Sequence, residues 1–79
     1  MQLTIPRYEI PTITRAILSL VDTYGHPKDF PLGQLAARGV LPDAAQTCED
    51  ILRQLGEELT ADKDQAVKQW ILAITRHAV

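Results

Sequence analysis

Only one cysteine, Cys48, occurs in 79 residues, which excludes an internal disulfide framework. No apolar run approaches the roughly 20 residues that a membrane-spanning helix needs. The first nine residues lack the basic region and apolar run of a secretory leader. A soluble cytoplasmic protein is the expectation. Cations are in deficit as well, with eight Lys and Arg against ten Asp and Glu and a formal net charge of −2. Unspecific attraction to nucleic acid or anionic lipid is therefore not expected.

Reactive motifs are equally scarce. The metal-ligand candidates are His26, His77 and Cys48, and none of the spacings that mark zinc occurs among them. Neither histidine has a serine or cysteine nucleophile motif beside it, and no Gly-rich phosphate loop is present. His26, next to Pro27, reads as a solvated turn residue. His77 falls one heptad after Trp70 at the border of an apolar stripe, where stacking on the indole is expected. The reading is of a protein that is no enzyme by itself and carries no metal or cofactor.

What the chain does contain is helical periodicity. Apolar residues make up 46% and charged residues 23%, an ordinary globular composition, and the length allows one domain. Residues 1–11 are expected as an extended N-terminal arm, because Pro6 and Pro11 remove backbone donors and hold the preceding residues extended. Residues 12–79 then form a single helical domain. Thr12 caps a first helix that Gly25 stops, with Ile13, Ala16, Ile17, Leu20, Val21 and Tyr24 as its stripe. Leu18 lies off that stripe, so this helix is expected to be covered on more than one side.

Asp29 is read as the cap of a short second helix carrying Pro31, with Leu32, Leu35 and Ala36 turned inward. Pro42 and Asp43 open a third helix striped by Ala44, Cys48, Ile51, Leu52, Leu55 and Leu59, and Gly56 marks its weak point or its end. Thr60 caps the last helix, with Ala66, Val67, Trp70, Ile71, Ile74 and Ala78 inward and Leu72 pointing away. The fold class expected is all-α: three longer helices and one short helix in a compact, irregular packing, with no repeat and no second domain. A thin core and wide stripes favour a homodimer over a monomer.

Charge is sorted by position. Residues 43–64 are net −5, residues 1–42 are +1 and residues 65–79 are +2. If residues 43–58 are helical, Asp43, Asp50 and Glu57 stand at heptad spacing as an acidic ridge, with Glu49 and Arg53 as an ordinary i,i+4 pair. This points to a non-catalytic interaction module: an adaptor, accessory subunit or inhibitor whose partner is another protein with a basic surface. Asp43, Asp50 and Glu57 are the expected charged contacts, Leu72 an apolar one, and Tyr8 in the arm a further one, since its ring and hydroxyl suit interfaces.

Two alternatives stand beside this. Leu35-Ala36-Ala37-Arg38-Gly39-Val40 resembles the first helix and turn of a helix-turn-helix module, one residue short between alanine and glycine. That resemblance implies a small DNA-binding regulator. The helix that would enter the groove, residues 43–50, carries Asp43, Glu49 and Asp50 and no cation, opposite to the charge phosphates attract. The second alternative is a non-catalytic small subunit of an enzyme.

Overall fold

The computed structural model describes residues 5–79. Among them lie four α-helices, α1 (Ile10–Tyr24), α2 (Gln34–Ala37), α3 (Pro42–Leu55) and α4 (Lys63–Arg76), with single 3-10 turns at Arg7–Glu9, Pro27–Asp29 and Gly56–Glu58. The fold is all-α, with three long helices and one short one. None of the helices is long and apolar enough to cross a membrane.

The first helix begins three residues earlier than a Thr12 cap gives, with Glu9 at the N-cap position. Pro11 sits inside its first turn, where the missing N–H would have had no intrahelical partner in any case. The extended arm is correspondingly shorter. Residues 1–4, including Leu3, lie outside the described residues. Ile5 is wholly buried in the chain's own core and forms an isolated parallel bridge with Ala78. In that bridge Val79 N–H donates to the Ile5 carbonyl and Arg7 N–H donates to the Val79 carbonyl, both at 3.0 Å.

Four periodic positions of α1, Ile13, Ala16, Ile17 and Leu20, are buried. Gly25 stops the helix at φ 85°, a conformation glycine adopts without a Cβ penalty, and its N–H returns to the Val21 carbonyl. Leu18 is not covered on a second side as expected, being 51% exposed. The short second helix also starts elsewhere. Asp29 ends a 3-10 turn instead of capping α2, and Gly33 holds the N-cap position at φ 84°. Of the three side chains expected inward there, only Leu35 is buried; Leu32 is 67% exposed and Ala36 faces solvent.

The third helix follows its periodicity, burying Ala44, Ala45, Cys48 and Ile51, and it stops at Gly56. The fourth is capped by Asp62, not by Thr60. One Asp62 carboxylate oxygen accepts from the N–H groups of Asp64 and Gln65 at 2.9 and 3.0 Å, satisfying two of the four unpaired donors that open a helix. Trp70, 1% exposed, is the largest side chain of the core. Its indole N–H donates to the Cys48 carbonyl across 3.0 Å, fixing α4 against α3. Phe30 packs on that ring with centroids 5.8 Å apart. His77 is exposed at the C-cap of α4; the aromatic partner of Trp70 is Phe30.

Two carboxylates with no visible sequence signal hold the loops. Glu9 is 8% exposed and accepts from the Leu41 N–H at 3.1 Å, at the start of α3. Glu49 is 9% exposed and accepts from the Gly33 N–H at 2.7 Å, at the start of α2. Each ties the residue that precedes a helix to a distant element. Among the described residues, every fully buried side-chain nitrogen or oxygen has a hydrogen-bond partner.

Candidate functional site

The acidic face of α3 is built on the helix that Pro42 opens. Asp43 stands exposed in the first turn, where the helix dipole favours a negative charge. Asp50 is two turns on, and its Oδ1 accepts from Arg53 Nη2 at 2.6 Å and from Gln46 Nε2 at 3.0 Å. The Arg53 hydrogen bond, and after it the Gln46 bond, hold the Asp50 carboxyl below its ordinary range. Arg53 is therefore paired with Asp50, while Glu49, its expected i,i+4 partner, turns inward to Gly33.

Glu57 does not continue the row. The helix stops at Leu55, and Glu57 lies in the 3-10 turn that follows, so the heptad phase joining the three carboxylates is lost before the third. The ridge becomes one free carboxylate at the start of α3, one compensated carboxylate in its middle, and a separate one beyond its end. Asp43 is brought instead against the arm. It lines a hollow of about 420 Å³ with Pro6, Leu41, Pro42 and Ala44, and Tyr8, two residues beyond Pro6, is 72% exposed.

A second surface feature comes from the pairing of α1 with α4. Leu18 and Val21 of α1 face Val67 and Ile71 of α4 across a groove of about 360 Å³, with Asp64 and Lys68 also lining it. Sequence periodicity marks Leu18 as surplus, but only the packing of the two helices shows what it stands beside. Leu72, 59% exposed, lies one turn beyond Lys68 on α4, outside the groove lining. Among the described residues the one ion pair is Arg53–Asp50, so neither Asp64 nor Lys68 is ion-paired there.

His26 is more than a turn residue. Its Nδ1 accepts from the Lys28 N–H at 3.2 Å, and its Nε2 lies 2.6 Å from the Thr60 carbonyl. The neutral tautomer carrying its proton on Nε2 satisfies both contacts at once. The ring thus ties the turn after α1 to the connection before α4. Gln69 holds that connection from the other side, donating to the Glu58 carbonyl at 3.1 Å and accepting from the Thr60 N–H at 3.4 Å. The pairing is structural, with no nucleophile in it.

Among the described residues, no three His, Cys, Asp or Glu side chains gather as a metal-binding group. Cys48 is fully buried, and burial, then the charges of Glu49 and Glu9, push its thiol up from 9.0 to about 12. Since the thiolate is the reactive form, native Cys48 should alkylate roughly a thousandfold more slowly than the unfolded chain at pH 8. Labelling kinetics with and without denaturant measure this, and comparable rates would refute the burial argument. The folded state holds the proton more tightly, so this stabilising contribution is complete below about pH 9 and is lost as pH rises towards about 12.

No protein-family model, curated protein or solved structure matches this chain.

Proposed function

We propose that this chain is a non-catalytic interaction module, acting as an adaptor, accessory subunit or inhibitor on a larger protein. The observation that carries the reading is the groove between α1 and α4. Its floor is apolar, its rim holds Asp64 and Lys68, and Leu18 stands half-exposed beside it. A set of 15 buried apolar residues closes the core without Leu18 or Leu72, so neither is needed to hold the fold. The partner is a protein presenting apolar side chains to the groove. Its basic flank reaches the carboxylates that dominate residues 43–64. Apolar burial supplies most of the affinity, and the charges supply orientation and rate.

The test separates groove from ridge. A partner recovered with the wild-type chain should bind Leu18→Asp or Leu72→Asp about 10- to 100-fold more weakly, as expected when a half-buried contact residue becomes a charge. Both variants should melt with the wild type, since both leucines face solvent in the free chain. Reversal of Asp43, Asp50 and Glu57 to lysine should weaken the complex mainly at about 0.1 M salt, where the screening length is about 10 Å, and little at about 1 M. Unchanged binding in Leu18→Asp removes the groove from the reading, and unchanged binding in Leu72→Asp removes the contact beyond it. Unchanged binding in the lysine variant makes the carboxylates a solvated face.

A further inference from the structure

On a different face of α1 lies a cleft whose chemistry the interaction reading does not use. Thr12, Arg15, Ala16 and Ser19 line it from α1, and Arg38, just after α2, closes it across a space of about 290 Å³. Arg38 is held in place by neutral acceptors alone. Its Nε–H donates to Ser19 Oγ at 3.2 Å and its Nη1 donates to Gln34 Oε1 at 2.7 Å. Those bonds use two of the five N–H donors of a guanidinium, and three remain. Arg15 brings a second guanidinium. Neither arginine has a carboxylate within ion-pairing distance among the described residues. Asp22, two turns along α1 from Arg15, is not among the lining residues.

Two uncompensated guanidinium groups beside two hydroxyls, in a chain of net charge −2, are not a sample of a generally basic surface. Arginine forks match the oxygens of phosphate in spacing and direction. Ser19 accepts from Arg38 and keeps its own proton to donate, and Thr12 offers another. We infer that the Arg15–Arg38 cleft binds the phosphate group of a small phosphate monoester or of free phosphate. The preset orientation of Arg38 separates this site from a chance pair of surface arginines, because one of its two cations is ordered before the anion arrives.

Titration of the ¹⁵N-labelled full chain with inorganic phosphate, against sodium chloride at equal ionic strength, tests this. Saturable shifts are expected at the Thr12, Arg15, Ser19 and Arg38 amides and at the Arg38 Nε–H, with phosphate only. Arg15→Gln should weaken the binding by at least about tenfold, the usual worth of one charge-assisted hydrogen bond. Its melting should be unchanged, because the Arg15 side chain makes no hydrogen bond among the described residues. Arg38→Gln should weaken binding at least as much. Since Arg38 also joins α1 to α2 through Ser19 and Gln34, the Arg15 variant is the decisive one.

A parallel titration with glycerol phosphate assigns the source. Tighter binding than inorganic phosphate places the organic part of a monoester in the cleft, and weaker binding identifies the free ion. Equal shifts with chloride, a linear response, or undiminished binding in Arg15→Gln would each overturn the assignment. So would saturable binding of a short DNA duplex through Arg15 and Arg38 without binding of phosphate, which would place a nucleic-acid backbone there instead.

Discussion

Replacement of Trp70 by alanine should remove a quarter or more of the folding stability. The indole is 1% exposed, stacks against Phe30 with centroids 5.8 Å apart, and donates to the Cys48 carbonyl at 3.0 Å. Truncating a buried tryptophan costs about 3–5 kcal/mol. A chain of 79 residues has a total stability of roughly 4–12 kcal/mol, so the loss approaches the whole at the lower end. Urea unfolding followed by circular dichroism measures it. Trp70→Phe divides the effect into its parts. The phenyl ring keeps much of the packing on Phe30 but removes the N–H and about three ring atoms, for about 2–3 kcal/mol. If Phe costs as much as Ala, the indole's outer ring with its bond to Cys48 carries the joint between α3 and α4, and the tilted contact with Phe30 is incidental.

That joint illustrates what the sequence reveals and what it hides. The stripes of α3 and α4 recur at helical spacing for three turns or more, so their inward faces, and the stop at Gly56, are readable from local pattern alone. Pro11 misleads because proline forbids the middle of a helix but not its first turn; the same residue type yields opposite conclusions two positions apart. Asp29 and Thr60 are plausible caps by residue type. The caps actually used are Gly33, whose N–H is met by Glu49 from 16 positions away, and Asp62. No local window contains the first of these partners.

Glu9 and Glu49 show the same limit more sharply. By residue type a carboxylate reads as solvated, and these two become buried only because Leu41 and Gly33 present backbone donors to them. The candidate surfaces divide along this line too. Leu18 and Leu72 stand off their stripes in the sequence itself. The pairing of Leu18 with Val67 and Ile71, and of Arg15 with Arg38, depends on which helices lie side by side.

Ile5→Ala should lower the melting temperature by roughly 8–40 °C. Ile5 has no exposed surface, and truncating a buried isoleucine costs about 2–5 kcal/mol; in a domain of this size each kcal/mol moves the midpoint by about 4–8 °C. The cost is not confined to the side chain. The Ile5 carbonyl accepts the Val79 N–H, and the Val79 carbonyl accepts the Arg7 N–H, so one buried side chain secures two hydrogen bonds made by exposed neighbours. Four residues further on, Glu9 reaches the Leu41 N–H at the start of α3. Loosening Ile5 should therefore speed hydrogen exchange first at Arg7 and Val79, then at Leu41, and last at the amides around Cys48. Exchange measured residue by residue in the variant reads that order directly. Uniform acceleration would instead mean that the Ile5 segment opens only with the whole core, as a cooperative part of it and not as a strap laid over it. The two outcomes matter for the interaction reading. Pro6 shares its hollow with Asp43 and Leu41, and a strap that opens alone would uncover that surface without unfolding the groove between α1 and α4.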